Sequence, residues 1–455
     1  MPDFENAIRE SGAGYVTGVG VDFVGIWRGK RLPAAHAVAA ERGHGIPFSD
    51  VFWANTIAED LIEPPPGHVG TFPIKPSGFP DHHLHLDAST YRAVPWMGGE
   101  GIVFGNWHHP DGRPYELCPR HCLQRVLAQA RERGLVVKVG FEWEFYVIDQ
   151  PLADIARAGF PVEMRLNHTR PYTYHGLRIA QDRELLESYV LPLEASGLEL
   201  ESLGCETGAG QYELNLRYDE ALRTADKAFL MKQAVKTIAA SQGRTATFMA
   251  KPHETWSGNS GHLHLSLWSA DGDDDLLATG PANTLNELAS QAVAGMLDTM
   301  PAATPFFCPN PNSYKRLVPY MWGSTTKTWG LENRTVGLRA IESEHGVSRI
   351  EHRMPGGDCN PYLAIAAAVA GMLHGIDRKL AAPDRYDGDA YADPSLEQLP
   401  LTLDRSLEAL ERDDVLAGYL GTELVDHYAI AGRSELGHHA LAVSAWERQR
   451  YLELT

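Results

Sequence analysis

Four short segments of this 455-residue chain alternate in an unusual sense, and they constrain its fold more than any total does. In a β-strand, residues i and i+2 share a face. Gly140-Phe141-Glu142-Trp143-Glu144-Phe145 therefore puts Glu142 and Glu144 on one side and three aromatics on the other. Gln211-Tyr212-Glu213-Leu214-Asn215-Leu216 gathers Gln211, Glu213 and Asn215 in the same way. His262-Leu263-His264-Leu265-Ser266-Leu267 gathers two imidazoles and a hydroxyl, and Arg349-Ile350-Glu351-His352-Arg353 gathers Arg, Glu and Arg. An antiparallel sheet with one wet face accounts for any one of these segments. It accounts poorly for all four, because a solvated face mixes Lys, Thr and charges of both signs. Here carboxylates, histidines and arginines are sorted onto different strands, which predicts polar faces lining one site.

Convergence of those faces brings together Glu142, Glu144, Glu206, Glu213, Glu351 and His262. Five carboxylates so close repel one another unless cations are present. Oxygen-dominated ligation with one imidazole points to Mg²⁺ or Mn²⁺, metals that commonly hold nucleotide phosphates. Arg316, Arg334, Arg339, Arg349 and Arg353 fall in one stretch of the chain and offer planar forks suited to phosphate. No Walker-type phosphate loop is present, and Gly98-Gly99-Glu100-Gly101 is too short and too acidic to replace one. The residues thus point to phosphoryl transfer through metals and arginines. Cys118-Pro119-Arg120-His121-Cys122 has no second cysteine pair and reads as a helix start, while His82, His83 and His85 read as a loop or subunit contact.

Along the chain, residues 14–33 predict two short strands with a turn at Arg28-Gly29-Lys30, and hence a small β-rich unit. Residues 64–67 and 75–80 are turn-forming punctuation. Pro119 opens a helix over about 120–133 that stops at Gly134, which sets a boundary near residue 110. Helical and strand patterns then alternate to about residue 375, and the remainder is helical with acidic, Pro-containing loops over 382–400. The net charge of -19, from 59 acidic and 40 basic residues without a basic run, argues against nucleic-acid and anionic-membrane partners. Five scattered cysteines fit free thiols in a reducing compartment. The N-terminus lacks signal-peptide features, and the most apolar stretch, 362–376, is shorter than the roughly 20 residues a bilayer requires. A cytoplasmic protein is the expectation.

Eight segments in order then carry a family resemblance: 21–33; Asp87-Ala88-Ser89-Thr90 with Pro95-Trp96; 140–145; 206–213; 259–267; Pro309-Asn310-Pro311-Asn312-Ser313-Tyr314-Lys315-Arg316; 333–339; and 349–355 followed by Asn360-Pro361-Tyr362. From about Gly14 to its end the chain resembles the type I glutamine synthetases. The resemblance implies an α+β protein with an N-terminal β-grasp domain (1–109). A catalytic domain (110–455) follows, built on an open, barrel-like antiparallel sheet with surrounding helices. It further implies a homo-dodecamer with sites between subunits, glutamate as substrate, and ATP with two Mg²⁺ or Mn²⁺ as cofactors. By carry-over, Glu144, Glu206 and Glu213 would hold one metal, and Glu142, His262 and Glu351 the other. Glu201, His264, Ser266, Arg339 and Arg349 would contact ATP, and Arg316, Arg334 and Arg353 would handle glutamate and the transferred phosphoryl group. Gly258, Asn259 and Gly261 would lie on a glutamate-binding loop one residue shorter than the common pattern.

The chain departs from ammonia-using members in the stretch after Arg316. Where those carry a flap glutamate, residues 317–324 hold no acid and Trp322 falls at the equivalent place. The loop Phe48-Ser49-Asp50-Val51-Phe52-Trp53, where an ammonium-binding aspartate is expected, is aromatic around Asp50. Aromatic groups in place of acids suit a carbon-bearing amine. The reading is therefore a γ-glutamylamide synthetase acting on ethanolamine, a polyamine or a monoalkylamine. Asp50, Glu59 or Asp60 would suit a polyamine. Glutamine synthesis from ammonia is the alternative, a non-enzymatic structural or regulatory relative a minor one, and a guanidino kinase is discounted by the 21–33 match. Tyr391, near a place that is adenylylated in some relatives, reads as a plain surface tyrosine.

Overall fold

The computed structural model describes residues 4–454 apart from 63, 65–67, 69–77 and 162. The turn punctuation at 65–67 and 75–77 lies outside the described residues. Strands β1 (Tyr15–Val21) and β2 (Trp27–Pro33) pair antiparallel, as the alternation predicts. Their turn is not at Arg28-Gly29-Lys30, which lies inside β2. The chain reverses at 22–26, where the Asp22 carboxylate accepts from the Ile26 N–H at 2.8 Å and Gly25 takes a φ of 83°. An aspartate turn with a glycine in the left-handed region outcompetes the Arg-Gly-Lys signal, and Asp22 also fixes Arg28, with its Nε at 2.7 Å.

With β3 (Ile46–Ser49), β4 (Asp81–Leu86), β5 (Arg92–Val94) and β6 (Glu100–His108), these strands form a six-stranded sheet in the order β2-β1-β6-β4-β3, with β5 on β6. His82, His83 and His85 lie in strand β4 rather than in a loop, and the His82 ring packs 4.1 Å from that of Tyr115. Phe52 and Trp53 are buried against Trp107 and Tyr115. Phe52 and Trp53 of the loop around Asp50 thus serve core packing, while Ser49 and Val51 stay exposed.

The helix Pro119–Glu132 follows, with Pro119 in its first turn and the Cys118 sulfur accepting from the His121 N–H, and Gly134 ends it at a φ of 73°. A second sheet contains β7 (Val136–Ile148), β8 (Leu200–Cys205), β9 (Gln211–Glu220), β10 (Thr245–Thr247), β11 (Leu263–Trp268), β12 (Trp329–Leu331), β13 (Leu338–Ser343) and β14 (Gly346–His352). Its order is β12-β13-β14-β11-β7-β9-β8, with β10 on β7. The sheet is mixed rather than wholly antiparallel, because β12 and β13 run parallel.

Apolar residues of both sheets join one continuous core. Arg120 fastens it: the guanidinium, buried in the helix Pro119–Glu132, binds both oxygens of Asp226 at 3.0 Å and Asp87 at 2.9 Å, and the Tyr362 hydroxyl donates to Asp226 at 2.6 Å. That network ties the end of β4 in the first sheet to the helices Ala221–Ser241 and Pro361–Arg378. The apolar stretch 362–376 forms most of the latter helix, which crosses Glu287–Phe307 at glycines. A Cβ added at Gly295 would lie 2.1 Å from the Gly371 carbonyl oxygen. All five cysteines are free and buried, and among the described residues no helix is long and apolar enough to cross a membrane.

Candidate active site

The four alternating segments lie on β14, β11, β7 and β9, which are consecutive strands of the second sheet. Glu144 sits opposite Glu213 and Glu142 opposite Asn215, while His264 sits opposite Glu351 on one side and Gly140 on the other. Their apolar partners Phe141, Trp143 and Phe145 are fully buried, so burial of the aromatic face fixes the register that exposes the acids to a common space.

Two groups of ligand atoms result. Glu142, His262 and Glu351 form one, and Glu144, Glu206 and Glu213 the other; within each group the atoms lie within 4.8 Å of one another. Burial, with the repulsion of Glu142 and Glu144, pushes Glu213 up to about 9, and burial with the charge of Glu206 pushes Glu144 up to about 8. Burial also raises Glu206. Burial pushes Glu351 up as well, but the charges of Arg353, His262 and His264 outweigh it and hold the carboxyl at about 2. Glu142 is likewise held low against its burial by His264 and His262. The His262 Nδ1 faces Glu142 at 3.2 Å and Glu351 at 3.5 Å, and its buried Nε2 has no partner. Carboxylates that repel one another around hard oxygen donors, with an incompletely partnered imidazole, fit divalent cations.

Neighbouring groups hold these acids in place. The Ser260 N–H donates to Glu144 at 2.5 Å. Gln211 donates to the Gly258 carbonyl at 2.8 Å and to the Asn259 side-chain oxygen at 3.0 Å, tying the 258–261 loop to the site. The Asn259 side chain is wholly buried and donates to the Met249 carbonyl, so it shapes the loop rather than facing the open space. At Gly258 and Gly261 a Cβ would strike Arg316 and Trp143 respectively, which explains the absence of side chains there.

Of the nucleotide candidates, Glu201, His264, Ser266 and Arg349 line one cavity of about 390 Å³ with Glu142, edged by the stacked rings of Tyr218 and Trp268. Arg339 is not on that lining; it binds Glu351 at 3.1 Å and also pairs with Glu332. Arg349 donates to the His264 Nδ1 at 3.1 Å, and His264 in turn contacts Glu142 at 2.7 Å. Among the substrate candidates, Arg316 is fully buried, reaching the Ser260 hydroxyl at 3.5 Å and the Met354 carbonyl, with its Nε unpartnered. Arg353 is buried against Glu351, and Arg334 is exposed with its charge felt at Glu206.

The acid-free stretch forms a loop in which Trp322 is 44% exposed and its carbonyl accepts from Arg353 at 3.5 Å. Tyr391 is no plain surface tyrosine: its hydroxyl is buried and its ring packs 5.3 Å from that of Tyr320. Tyr174, missed in the sequence, lies within the electrostatic reach of Glu206 and Arg334. Glu59 is held by Arg28 and Asn55, and Asp50 is buried with one oxygen unpartnered, its carboxyl pushed up to about 6 by burial.

Comparisons with known proteins agree with this geometry. The family model described as glutamine synthetase, catalytic domain, matches residues 116–451. A glutamate–isopropylamine ligase from Pseudomonas sp is 34% identical over 441 residues, 95% of this chain and 94% of that protein. The γ-glutamylethanolamide synthetase GlnA4 of Streptomyces coelicolor is 35% identical over 379 residues, 83% of this chain and 80% of that one. The solved structure of GmaS without ligand superposes with a TM-score of 0.85 at 30% identity, covering 100% of both chains.

Proposed function

The chain belongs to the glutamine synthetase family, and from that premise we propose that it is an ATP-dependent carbon–nitrogen ligase. It joins the γ-carboxylate of glutamate to a primary organic amine through γ-glutamyl phosphate, releasing a γ-glutamylamide, ADP and phosphate. The observation that carries this reading is the pair of three-ligand groups on and at the ends of neighbouring strands, flanked by buried arginines and by a loop with no acid. Relatives named for isopropylamine as a substrate and for a γ-glutamylethanolamide product support an organic amine over ammonia.

Glu144, Glu206 and Glu213 would hold one divalent cation and Glu142, His262 and Glu351 a second, Mg²⁺ or Mn²⁺. Such ions supply charge neutralisation for the triphosphate and the transferring phosphoryl group. Glu201, His264, Ser266 and Arg349 would bind the nucleotide in their shared cavity, with Arg339 steadying Glu351. Arg316 and Arg353, prevented from moving by burial, would orient the γ-carboxylate and stabilise charge on the phosphoryl oxygens as it develops, joined by Arg334 from the rim. The 258–261 loop would face glutamate, with Gly258 and Gly261 letting its backbone pack against Arg316 and Trp143 while Asn259 shapes it.

The first sheet ends at His108, which supports a β-grasp unit over 1–109 and a catalytic domain over 110–455. Exposed Leu441, Trp446, Leu452 and Leu454 support assembly with further copies, read here as a dodecamer. Free buried thiols support a cytoplasmic setting. The test is Mg²⁺-dependent phosphate release from ATP with glutamate, with and without each of ammonium, methylamine, ethanolamine, putrescine and spermidine. Release that requires both glutamate and an organic amine supports the reading, and none with any amine overturns it.

A further inference from the structure

Arg316, which would meet glutamate in the ligase reading, makes few bonds of its own. Its guanidinium reaches the Ser260 hydroxyl at 3.5 Å and the Met354 carbonyl, and its Nε has no partner. A fully buried guanidinium so sparsely bonded takes its direction from the backbone that carries it. That backbone is the short turn Ser313–Arg316, and one carboxylate fastens its beginning. Asp358 Oδ2 accepts from the Ser313 hydroxyl at 2.6 Å and from the Asn310 side-chain N–H at 3.1 Å. Ser313 relays this hold: its hydroxyl oxygen accepts from the Asn310 backbone N–H at 3.0 Å, and its own N–H donates to the Asn310 carbonyl at 3.0 Å. Ser313 is wholly buried, so these bonds are made away from water, where a carboxylate acceptor is worth more than a neutral one.

The second oxygen of the same carboxylate is turned toward the guanidinium. Asp358 Oδ1 is cut off from solvent and has no hydrogen-bond partner. A Cβ added at Gly356 would lie 2.7 Å from that oxygen and 3.5 Å from the Arg316 Nε. The bare glycine thus lets an unpartnered anionic oxygen and an unpartnered cationic N–H face one spot on the backbone, where their opposite charges attract across a poorly screened gap. Asp358 follows Arg353 on the segment that leaves β14, so it ties the turn bearing Arg316 to the strand bearing Glu351. Asn312 anchors the turn separately, through two bonds of 2.9 Å with the Lys251 backbone, so loss of Asp358 shifts the turn without releasing it. Resting on the ligase reading above, we infer that Asp358 is a positioning residue of the reaction. Through Ser313 and Asn310, and by its charge, it sets the Arg316 guanidinium against the γ-carboxylate of glutamate and touches no substrate itself.

The test is steady-state kinetics of the full-length wild type, Asp358→Ala, Asp358→Asn and Ser313→Ala with Mg²⁺, ATP, glutamate and whichever amine of the panel above is turned over fastest. Asp358→Ala should lower kcat/KM for glutamate about a hundredfold, the scale of a small misplacement of a substrate-orienting group. Its KM for ATP should stay within about threefold of wild type, and the Mg²⁺-induced rise in thermal midpoint should be kept. Asp358→Asn, which retains an acceptor for Ser313 and Asn310 but not the charge, should recover about tenfold of that loss, and Ser313→Ala should lose about tenfold, the worth of one hydrogen bond. Ser313→Ala and Asp358→Ala together should cost less than the sum of their separate effects. If Asp358→Ala does not fold, Asp358→Asn and Ser313→Ala decide on the same parameters. Glutamate kinetics indistinguishable from wild type in these variants, or an equal loss in the KM for ATP and the Mg²⁺ shift, overturns the inference and leaves the ligase intact. A wild type that turns over no amine of the panel overturns the ligase reading, and the role of Asp358 with it.

Discussion

Replacing Glu213 by Gln should act in opposite directions on the metal-free and metal-loaded protein. Gln keeps the shape of the side chain and its hydrogen bond to Asn215, 3.0 Å away, but removes a carboxyl that burial and the charges of Glu142 and Glu144 push up to about 9. At neutral pH the metal-free fold must keep that group protonated while the unfolded chain ionises it, a cost on the order of 3 kcal/mol that Gln escapes. In chelator, Glu213→Gln therefore relieves strain, and its thermal midpoint should equal or exceed that of the wild type. In saturating Mg²⁺ the order reverses. A cation at 100 times its Kd stabilises the folded state by about 2.7 kcal/mol, and a hundredfold loss of affinity cuts this to roughly 0.4 kcal/mol. Scanning calorimetry of both proteins in EDTA and in a Mg²⁺ series separates the two effects. A variant less stable than wild type in EDTA, with an undiminished Mg²⁺ shift, would refute the view that these acids are assembled to hold a cation.

Arg120→Leu should destabilise the protein by about 3–5 kcal/mol, because it leaves Asp226 and Asp87 without their buried partner; urea unfolding measures this. Gly295→Val should cost about 1–3 kcal/mol or more by forcing apart two helices whose backbones touch at Gly371, again visible in urea. Burial lowers His82 and His121 to about 4 and His427 to about 3. Since the unfolded chain takes up those protons near pH 6.5 and the folded one does not, the contribution of these histidines should be full above that value and decline as pH falls toward 4, against the gain from the raised Glu144 and Glu213 carboxyls. Urea unfolding of the wild type and of His121→Gln at pH 8 and pH 5 isolates one histidine, and a stability difference between the two proteins that does not shift in favour of the variant at pH 5 contradicts the direction.

The catalytic sheet was legible because its information is local. A strict period of two, with aromatics on one face of β7 and carboxylates on the other, leaves little freedom over which side of the strand is buried. The same locality exposed the Pro119 helix and its glycine stop. The reversal before β2 was misjudged because Arg28-Gly29-Lys30 resembles a turn, whereas Asp22 makes one through a side-chain bond that composition does not reveal. Phe52 and Trp53 looked available for a ligand, but an aromatic residue in a loop reads alike whether it faces a pocket or the core, and here Trp107 and Tyr115 claim them. Tyr391 was misjudged for a related reason. Its ring packs on Tyr320 and its neighbour Ala390 is held by Thr335, both distant in sequence and brought beside it only by folding. Asn259, set on a polar loop, is drawn inward by Gln211 from another strand.

The most direct test of the ligase assignment is a competition in one vessel: full-length protein, Mg²⁺, ATP and glutamate with equal concentrations of ammonium and propylamine, products resolved by mass spectrometry. The account predicts γ-glutamylpropylamide as the main product, formed one for one with phosphate. Glutamine as the main product would mean that the acid-free loop under Trp322 still selects ammonia, contradicting the assignment of this site to an organic amine.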